Sequence, residues 1–388
     1  MALEPSRIGD YKIVGPLGSG ATAQVFEAIH IASGQTVALK QLDGRTDAEL
    51  SERVAREAIL LGGVNSKHVS SIIGFGFDKG SAFLVLERLI GETLDARIKR
   101  DGPIPLVLCA AWVEQLLLGL KDVHAANIVH RDIKPSNIFL QQEGRRSIVK
   151  LIDFGVARLA EMVGHGSSLT APKHMLGSMG YMAPEQCRQA KGVSFTADIY
   201  SVGVVIFRMV SGKLPLSGGS LEEMVRVKLN EEPPLLSHAS GFAHHVQLDW
   251  FVDKALSRDP AKRFQSAKEM LEEWRLLVRG LDDENTVRVS RKEREELGID
   301  SMIPPNEKIP STKPKGLSEE DLAEPTSPSA PGSPGMQSES RMVAESAPAE
   351  LPSDRPDLYA DEFEVPTKND ADLGQRVLAA IAQRKEKK

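Results

Sequence analysis

The chain has 388 residues, of which 41% are hydrophobic and 26% are charged, so it is long enough to bury a sizeable core. Its formal net charge is -6 and it contains no long basic run, which argues against nucleic acid or an anionic membrane as a partner. The two cysteines, Cys109 and Cys187, lack CxxC spacing, so the sequence predicts free thiols and no zinc site.

The first ten residues, MALEPSRIGD, contain no basic region followed by an apolar stretch and do not have the pattern of a secretory signal. No apolar run in the rest of the sequence approaches the roughly 20 residues that cross a bilayer. We therefore expect a cytoplasmic protein without a transmembrane segment.

Residues 11–41 alternate apolar and polar positions around Gly and Ser clusters, which predicts three consecutive antiparallel strands. The stretch DAELSERVAREAILLGG has apolar residues at helical spacing and ends in two glycines, so one helix should follow. SSIIGFGF and AFLVLERL then predict two more strands. Residues 9–88 should therefore form a small five-stranded antiparallel β unit with one helix.

From Pro103 onward the pattern becomes helical, and LVLCAAWVEQLLLGLKDVHAA is apolar nearly all round, as expected of a buried helix. Further helices are predicted at about 196–212, 219–230, 248–257 and 266–279. Residues 89–280 should thus form a larger, mainly helical unit, which makes the protein α+β. A cleft between the two units would be the expected ligand site.

The composition changes near residue 280. The last 88 residues hold 12 of the 23 prolines and only two aromatic residues, so residues 301–368 should form a disordered, Pro-rich tail. Residues 281–300 form a charged linker compatible with a short helix.

Residues 369–388 carry Leu373, Val377 and Ile381 four residues apart and end in basic residues. This pattern fits a short amphipathic helix that binds a partner or folds back on the rest of the chain. It also fits a frayed, solvated terminus.

The stretch LGSGATAQVF places Gly18 and Gly20 between two predicted strands, which alone also fits a plain hairpin turn. The next strand, however, carries Lys40, which could reach phosphate oxygens that the backbone of a glycine turn also approaches. An ammonium group in an apolar strand needs an anionic partner, and Glu57 is our candidate, although a lone helical glutamate can also simply face solvent.

The segment HRDIKPSNIFL, followed by LIDFGVA and by APE at 183–185, resembles the catalytic and metal loops of the eukaryotic-type protein kinases. MAPEQ and DPAKRF are similar to the same motifs in the bacterial serine/threonine kinases. The resemblance covers roughly residues 9–280 and implies the two-lobed protein-kinase fold.

The resemblance implies ATP and Mg²⁺ as cofactors, because phosphoryl transfer to a hydroxyl needs a carboxylate for the proton, cations for the phosphates and oxygen ligands for the metal. By this resemblance, Asp132 takes the proton of the acceptor hydroxyl and Lys134 steadies the transferred group. Asn137 and Asp153 would hold the metal, and Lys40 the inner phosphates. A lysine at position 134 is typical of serine/threonine kinases.

The nucleotide would be bound by the glycine turn, by Ala38 and Val25 as an apolar roof over the base, and by the backbone of Glu87 and Leu89. Ala23 stands where the family has its third glycine, and alanine still permits a tight turn. The implied nucleotide-binding set is Leu17, Gly18, Ser19, Gly20, Ala21, Thr22, Ala23, Gln24, Val25, Ala38, Lys40, Glu57, Glu87 and Leu89.

Arg131 precedes the predicted base and is typical of kinases that are switched on by a phosphate in the following segment. Ser167, Ser168 and Thr170 are the candidate autophosphorylation sites. Ser178 stands where the family has a threonine beside the catalytic aspartate.

Three further matches have structural roles in the family. Glu185 and Arg263 correspond to a buried ion pair, and Asp198 to an anchor under the catalytic loop.

The sequence therefore predicts an ATP- and magnesium-dependent protein serine/threonine kinase that acts on protein substrates, with a possible further partner for its tail. The alternative is a catalytically silent pseudokinase that acts as a scaffold through the tail.

Overall fold

A computed structural model of the protein describes residues 7–19, 23–42, 58, 61–153, 177–188, 194–240 and 246–283. The predicted helix at 47–63 lies mostly outside the described residues, although Ala58 and residues 61–62 are helical. The first three residues of the predicted linker, 281–283, continue the last helix, and the rest of the linker, the Pro-rich tail and the C-terminal amphipathic helix lie outside the described residues.

The first part of the chain forms an antiparallel sheet with strand order β1-β2-β3-β4-β6-β5. It contains the five predicted strands together with a two-residue strand, β1, at its edge. The six strands are β1 (Arg7–Ile8), β2 (Tyr11–Ser19), β3 (Ala23–His30), β4 (Thr36–Leu42), β5 (Ile72–Asp78) and β6 (Ser81–Glu87).

Strand β4 is central in this sheet, because it pairs with β3 on one side and with β6 on the other. Its residues alternate, so that Val37 and Leu39 pack into one apolar cluster with Phe83 and Val85. Lys40 falls on the opposite face and is itself buried. The strand period therefore directs this lysine away from the apolar cluster.

The rest of the described chain is mainly helical. Helix α2 matches its prediction closely and is lined by buried apolar residues, and α4 is buried along almost its whole length. The helices are α1 (Leu94–Asp101), α2 (Leu106–Ala125), α3 (Pro184–Arg188), α4 (Phe195–Ser211), α5 (Leu221–Asn230), α6 (Leu236–Ser240), α7 (Val246–Leu256) and α8 (Ala267–Asp283), with 3-10 turns at Pro135–Asn137 and Pro260–Lys262.

Helices α1, α3 and α6 were not predicted from the sequence. Helix α1 buries only Leu94 and Ile98, and two apolar residues give too weak a helical pattern. Its N-terminus is capped by Thr93, whose side chain accepts a hydrogen bond from the backbone N of Ala96. Across the part of the chain that the structure describes, no helix combines the length and apolarity that a membrane span needs.

A second antiparallel sheet, β7-β8-β9, lies within the helical region. Its strands are β7 (Gly91–Thr93), β8 (Ile138–Glu143) and β9 (Arg146–Leu151). Gly91 has φ 144° and its backbone approaches Leu140 so closely that an added Cβ would lie 2.0 Å from the Leu140 carbonyl oxygen. Only glycine fits where β7 meets β8.

Candidate active site

The β8–β9 hairpin brings the two polar loops of the sequence together. Ile138, the first residue of β8, pairs with Leu151, the last residue of β9. The backbone N of Ile152 then donates to the carbonyl oxygen of Asn137 at 3.0 Å. The loop that precedes β8 and the loop that follows β9 therefore end side by side.

In the loop that precedes β8, Asp132 contacts both Lys134 and Asn137. Its Oδ2 lies 2.8 Å from the Nζ of Lys134 and accepts a second hydrogen bond, also 2.8 Å long, from the Nδ2 of Asn137. The same amide group donates to the backbone oxygen of Asp132. The side chains of Asp132 and Lys134 keep about a fifth of their surface exposed (18% and 20%), so a solvent-borne substrate could reach them.

Lys40 and Asp153 form an ion pair between the large sheet and the end of β9. Lys40 Nζ lies 2.6 Å from Asp153 Oδ1, and the lysine side chain is 9% exposed. The carboxylate supplies the anion that a buried ammonium group needs. The partner predicted for this lysine, Glu57, lies outside the described residues.

The side-chain oxygen atoms of Asn137 and Asp153 suit a hard divalent cation. Asn137 Nδ2 donates to Asp132, which fixes the orientation of the amide, so that its Oδ1 is the atom that could coordinate a cation. Asp153 adds a carboxylate that is 37% exposed. One amide oxygen and one carboxylate match Mg²⁺, which keeps several waters and takes few protein ligands. Within the described ranges, no cluster of three or more His, Cys, Asp or Glu side chains could hold a metal.

The backbone is left-handed at two positions of the site. Arg131 has φ 64° and Asp153 has φ 55°, which is uncommon for residues other than glycine. Asp198 accepts hydrogen bonds of 2.8 Å from the backbone N of both His130 and Arg131 and one of 2.9 Å from His124 Nε2. This buried carboxylate therefore holds the unusual turn before Asp132 in place.

His130 lies two residues before Asp132 in the sequence and is completely buried. Burial lowers its pKa, because the charged imidazolium would lose its hydration. A neutral, buried histidine packs under the loop and leaves the solvent-facing position to Asp132.

Arg263 anchors the region around Glu185, which follows the second polar loop in the sequence. Its guanidinium group binds both carboxylate oxygens of Glu185, at 2.7 and 2.8 Å, and the backbone oxygens of Thr196 and Ser257. Ser178, which precedes this region, accepts a hydrogen bond of 3.1 Å from Lys134 Nζ. Lys134 thus connects Asp132 with the segment that carries Ser178.

The structure describes the strand residues before and after the glycine turn. Gly18 of β2 pairs with Val25 of β3, and Ser19 pairs with Gln24, while Leu17 is 40% exposed. The apex of the turn, Gly20, Ala21 and Thr22, lies outside the described residues. Ala23, in the position of the missing glycine, is buried and opens β3.

Val25 and Ala38 lie close to Lys40 in the sheet. Val25 pairs with Lys40 across β3 and β4, and Ala38 pairs with Leu86 across β4 and β6. The predicted apolar roof and the predicted phosphate-binding lysine therefore occupy one region of the sheet.

The chain passes from the large sheet to the helical region at Glu87 and Leu89. The Oε1 of Glu87 accepts hydrogen bonds from the backbone N of Ser71 and from Lys150 Nζ, both at 2.8 Å. Sequence reasoning missed Lys150, and the available signal was a single lysine in the otherwise apolar run IVKLI of β9. Leu89 is buried.

Comparison with known proteins identifies this arrangement. Residues 11–274 match the protein kinase domain. Serine/threonine-protein kinase pkn2 of Myxococcus xanthus is 36% identical over 265 residues, which are 68% of this chain and 32% of that protein. Serine/threonine-protein kinase PknL of Mycobacterium tuberculosis (strain H37Rv) is 32% identical over 264 residues, which are 67% of this chain and 63% of that protein.

The fold has a solved counterpart in the crystal structure of Rad53 1-466 in complex with AMP-PNP, with a TM-score of 0.56 and 26% sequence identity. That match covers 68% of this chain and 65% of the Rad53 chain. The similarity therefore extends over about the same share of the sequence in all comparisons, and it covers about a third of pkn2 and less than two thirds of PknL. From these matches and from the loops assembled by the β8–β9 hairpin, the chain belongs to the protein kinase domain family, in the group of the bacterial serine/threonine protein kinases.

Proposed function

We propose that the protein is an ATP- and magnesium-dependent protein kinase that transfers the γ-phosphoryl group of ATP to serine or threonine hydroxyls of protein substrates. The observation that carries the proposal is the connected set of Asp132, Lys134 and Asn137 beside the Lys40–Asp153 pair. These residues supply a carboxylate, two cations and two oxygen ligands at one place, which is what phosphoryl transfer requires.

Asp132 is the proposed base. The acceptor hydroxyl gives its proton to the Asp132 carboxylate, and its oxygen forms a bond to the γ-phosphorus. The bond from that phosphorus to the β–γ bridging oxygen breaks, and ADP leaves with the electron pair. Lys134, 2.8 Å from Asp132, offsets the negative charge of the transferred group. Mg²⁺ held by Asn137 and Asp153 would neutralise phosphate charge.

The nucleotide would lie against the large sheet. Lys40 binds the inner phosphates, the backbone of the glycine turn from Leu17 to Val25 covers them, and Ala38 packs on the base. The backbone of Glu87 and Leu89 would bind the adenine edge. Glu57 remains our proposed second partner for Lys40.

Regulation by autophosphorylation is proposed at Ser167, Ser168 or Thr170, which lie outside the described residues. Arg131, next to the base, is the cation that a phosphate there would offset. The similarity to proteins named serine/threonine kinases supports protein substrates, and the complex of Rad53 with AMP-PNP supports a nucleoside triphosphate as donor.

The experiment compares the full native chain with Asp132→Asn in the presence of labelled ATP, Mg²⁺ and a general protein substrate. Asp122→Asn, the same chemical change on the partly exposed side of α2, is the matched control. We expect transfer by Asp132→Asn to fall by at least about 10²-fold, because a general base is lost. Nucleotide affinity, measured by calorimetry, should stay within about threefold in both variants, since a threefold change is well under the 1.4 kcal/mol that corresponds to a factor of about ten.

Native chain that binds ATP but transfers no label to itself or to the substrate would contradict the proposal and favour the pseudokinase scaffold. Transfer that is equal in the native chain and Asp132→Asn would contradict the assignment of the base. Removal of divalent ions with a chelator should abolish transfer, and Mg²⁺ should restore it.

A further inference from the structure

Helices α7 and α8 pack side by side in opposite directions. Near the C-terminal end of α7, Lys254 Nζ lies 3.2 Å from Oε1 of Glu269, which is in the first turn of α8. Near its N-terminal end, Gln247 approaches Gly280, where an added Cβ would lie 3.3 Å from Oε1 of Gln247. These two contacts define which faces of the helices meet.

Three large apolar side chains are exposed along the solvent side of these two helices. On α8, Glu269, Glu273, Leu276 and Gly280 follow one another at spacings of four, three and four residues, so they lie on one face of the helix. Leu276 is therefore on the same face as the two residues that contact α7. On α7, Trp250 lies between Gln247 and Lys254, and Val246 is one turn before it. Val246 is 79% exposed, Trp250 50% and Leu276 57%. We call the surface formed by Val246, Trp250 and Leu276 the α7–α8 groove.

Trp250 differs from the other two tryptophans. Trp112 and Trp274 are buried, at 7% and 1% exposure, whereas half of Trp250 faces solvent. Its ring is held by an edge contact with Phe264, at a centroid distance of 6.3 Å, and by Lys254 Nζ at 5.4 Å. A half-exposed tryptophan held by two contacts, with exposed aliphatic residues on the same pair of helices, is typical of an interaction surface.

Charged residues border the groove in a definite order. Asp253 and Glu273 lie toward the Lys254–Glu269 end, and within the described part of the chain neither makes an ion pair. Arg279 lies toward the other end, beside Gly280. An apolar strip with acidic groups at one end and a basic group at the other fits an amphipathic helix of opposite polarity.

We propose that residues 369–388 of the same chain form this helix and bind in the α7–α8 groove. Leu373, Val377 and Ile381 would form its apolar face. Asp370 and Asp372 precede this face, and the basic residues Arg384, Lys385, Lys387 and Lys388 follow it. The acidic start matches Arg279, and the basic end matches Asp253 and Glu273.

The connection is long enough for this contact. Helix α8 ends at Asp283, and 85 residues, 284–368, precede the proposed helix. A flexible chain of that length, as its composition predicts, has a root-mean-square span of about 50 Å. The radius of gyration of a domain of about 270 residues is roughly 18 Å, so the linker reaches the groove without strain. Linked in this way, even a weak helix–groove contact forms within the chain at an effective concentration of order mM.

The test measures amide hydrogen exchange of residues 369–388 in the full chain by mass spectrometry. Leu276→Glu places a charge in the groove and Ile381→Glu places one on the apolar face of the segment. We expect the protection of the segment to fall by about tenfold or more in each, because the new carboxylate would have to be buried. The quenching of tryptophan fluorescence by acrylamide should rise in both variants, because Trp250 loses its cover.

Two controls introduce the same charge elsewhere. Ile31→Glu changes an exposed residue between β3 and β4, and Gln383→Glu changes the opposite side of the proposed helix. Both should leave protection and quenching unchanged. Thermal unfolding of each variant shows whether the kinase domain is intact. Ile381 lies far from that domain in the sequence. Ile381→Glu therefore still tests whether residues 369–388 bind the groove if Leu276→Glu does not fold.

Four results would overturn the proposal. They are no protection of 369–388 in the native chain, undiminished protection in Leu276→Glu, protection that appears only at high protein concentration, and protection that appears only with anionic lipid vesicles. The third would indicate a second copy of the chain as the occupant, and the fourth a membrane. None of these results bears on the proposed kinase activity, because no active-site residue takes part.

Discussion

Lys40 on the large sheet and Asp153 at the end of the β8–β9 hairpin lie 2.6 Å apart, although 113 residues separate them in the sequence. The pair places the cation proposed to bind phosphate next to the carboxylate proposed to bind the metal. The Lys40–Asp153 pair therefore joins the sheet side of the proposed site to its hairpin side.

Replacing Lys40 by Met should lower phosphoryl transfer by about 10²–10³-fold, because a preorganised charge beside the phosphates is lost. The measurement is the transfer rate to a protein substrate together with the Kd for ATP. Lys12→Met, an exposed lysine on β2 of the same sheet, is the matched control and should keep full activity. An unchanged rate in Lys40→Met would remove Lys40 from the mechanism.

Ser178→Ala should reduce kcat by about tenfold, because Lys134 Nζ loses a hydrogen bond that holds it beside Asp132. The Kd for ATP should not change, since Ser178 does not contact the sheet-side nucleotide site. Ser178→Thr keeps the hydroxyl and should retain most of the activity. A loss of activity in Ser178→Thr that equals the loss in Ser178→Ala would show that the hydroxyl is not what matters.

Arg263→Ala should lower the free energy of unfolding by about 3–5 kcal/mol, because the carboxylate of Glu185 would be left without its partner. Denaturation in urea measures this change. Arg226→Ala provides the surface comparison, since its pair with Glu231 is well exposed and should contribute about 1 kcal/mol or less. Similar effects of the two substitutions would contradict the structural role of Arg263.

Lys228 on α5 is completely buried and makes no ion pair with any residue of the described ranges. Its Nζ lies 3.4 Å from the hydroxyl of Tyr200 and 4.9 Å from the centre of that ring, with Glu185, Cys187 and Arg263 as further ionisable neighbours. Burial lowers the pKa of Lys228 to about 8 from the ordinary value of 10.5.

The pH dependence follows from this lowered pKa. Between about pH 8 and 10.5 the folded protein holds fewer protons than the unfolded chain, so stability attributable to Lys228 rises with pH across that window. Below pH 8 the cost of the buried charge is fully present. Lys228→Met should therefore increase the free energy of unfolding at about pH 7 by roughly 2–3 kcal/mol, with a smaller gain at about pH 10. Destabilisation at neutral pH would contradict this account.

The family and the fold were predictable from short motifs. The order of the motifs HRD, DFG and APE predicted the protein kinase fold. The family match and the Rad53 structure confirm this prediction. Long periodic segments such as α2 and α4 were also predicted near their observed bounds, because each buries many residues at regular spacing. The roles of the site residues remain predictions that the experiments above address.

Distant contacts that the family resemblance does not supply were not predictable, in contrast to the Glu185–Arg263 pair, which it did predict. The pairing of Lys40 with Asp153 depends on how the large sheet sits over the β8–β9 hairpin, and no local pattern encodes it. The Glu87–Lys150 pair was missed for the same reason, because the apolar flanks of Lys150 indicate burial but do not identify its partner. Short helices such as α3 and α6 bury too few residues to produce a recognisable period.

The β8–β9 hairpin also determines which contacts of the site change when the large sheet moves relative to the helical region. Asp132, Lys134 and Asn137 are held to one another by direct side-chain contacts within one loop, and the β8–β9 hairpin joins that loop to Asp153, whereas Lys40 belongs to a different sheet. Any rocking of the large sheet away from the helical region would lengthen the Lys40–Asp153 distance and leave the Asp132, Lys134 and Asn137 contacts undisturbed. In the proposed kinase reaction, separating Lys40 from Asp153 would open the nucleotide side of the site, while the side-chain contacts among Asp132, Lys134 and Asn137 stay intact.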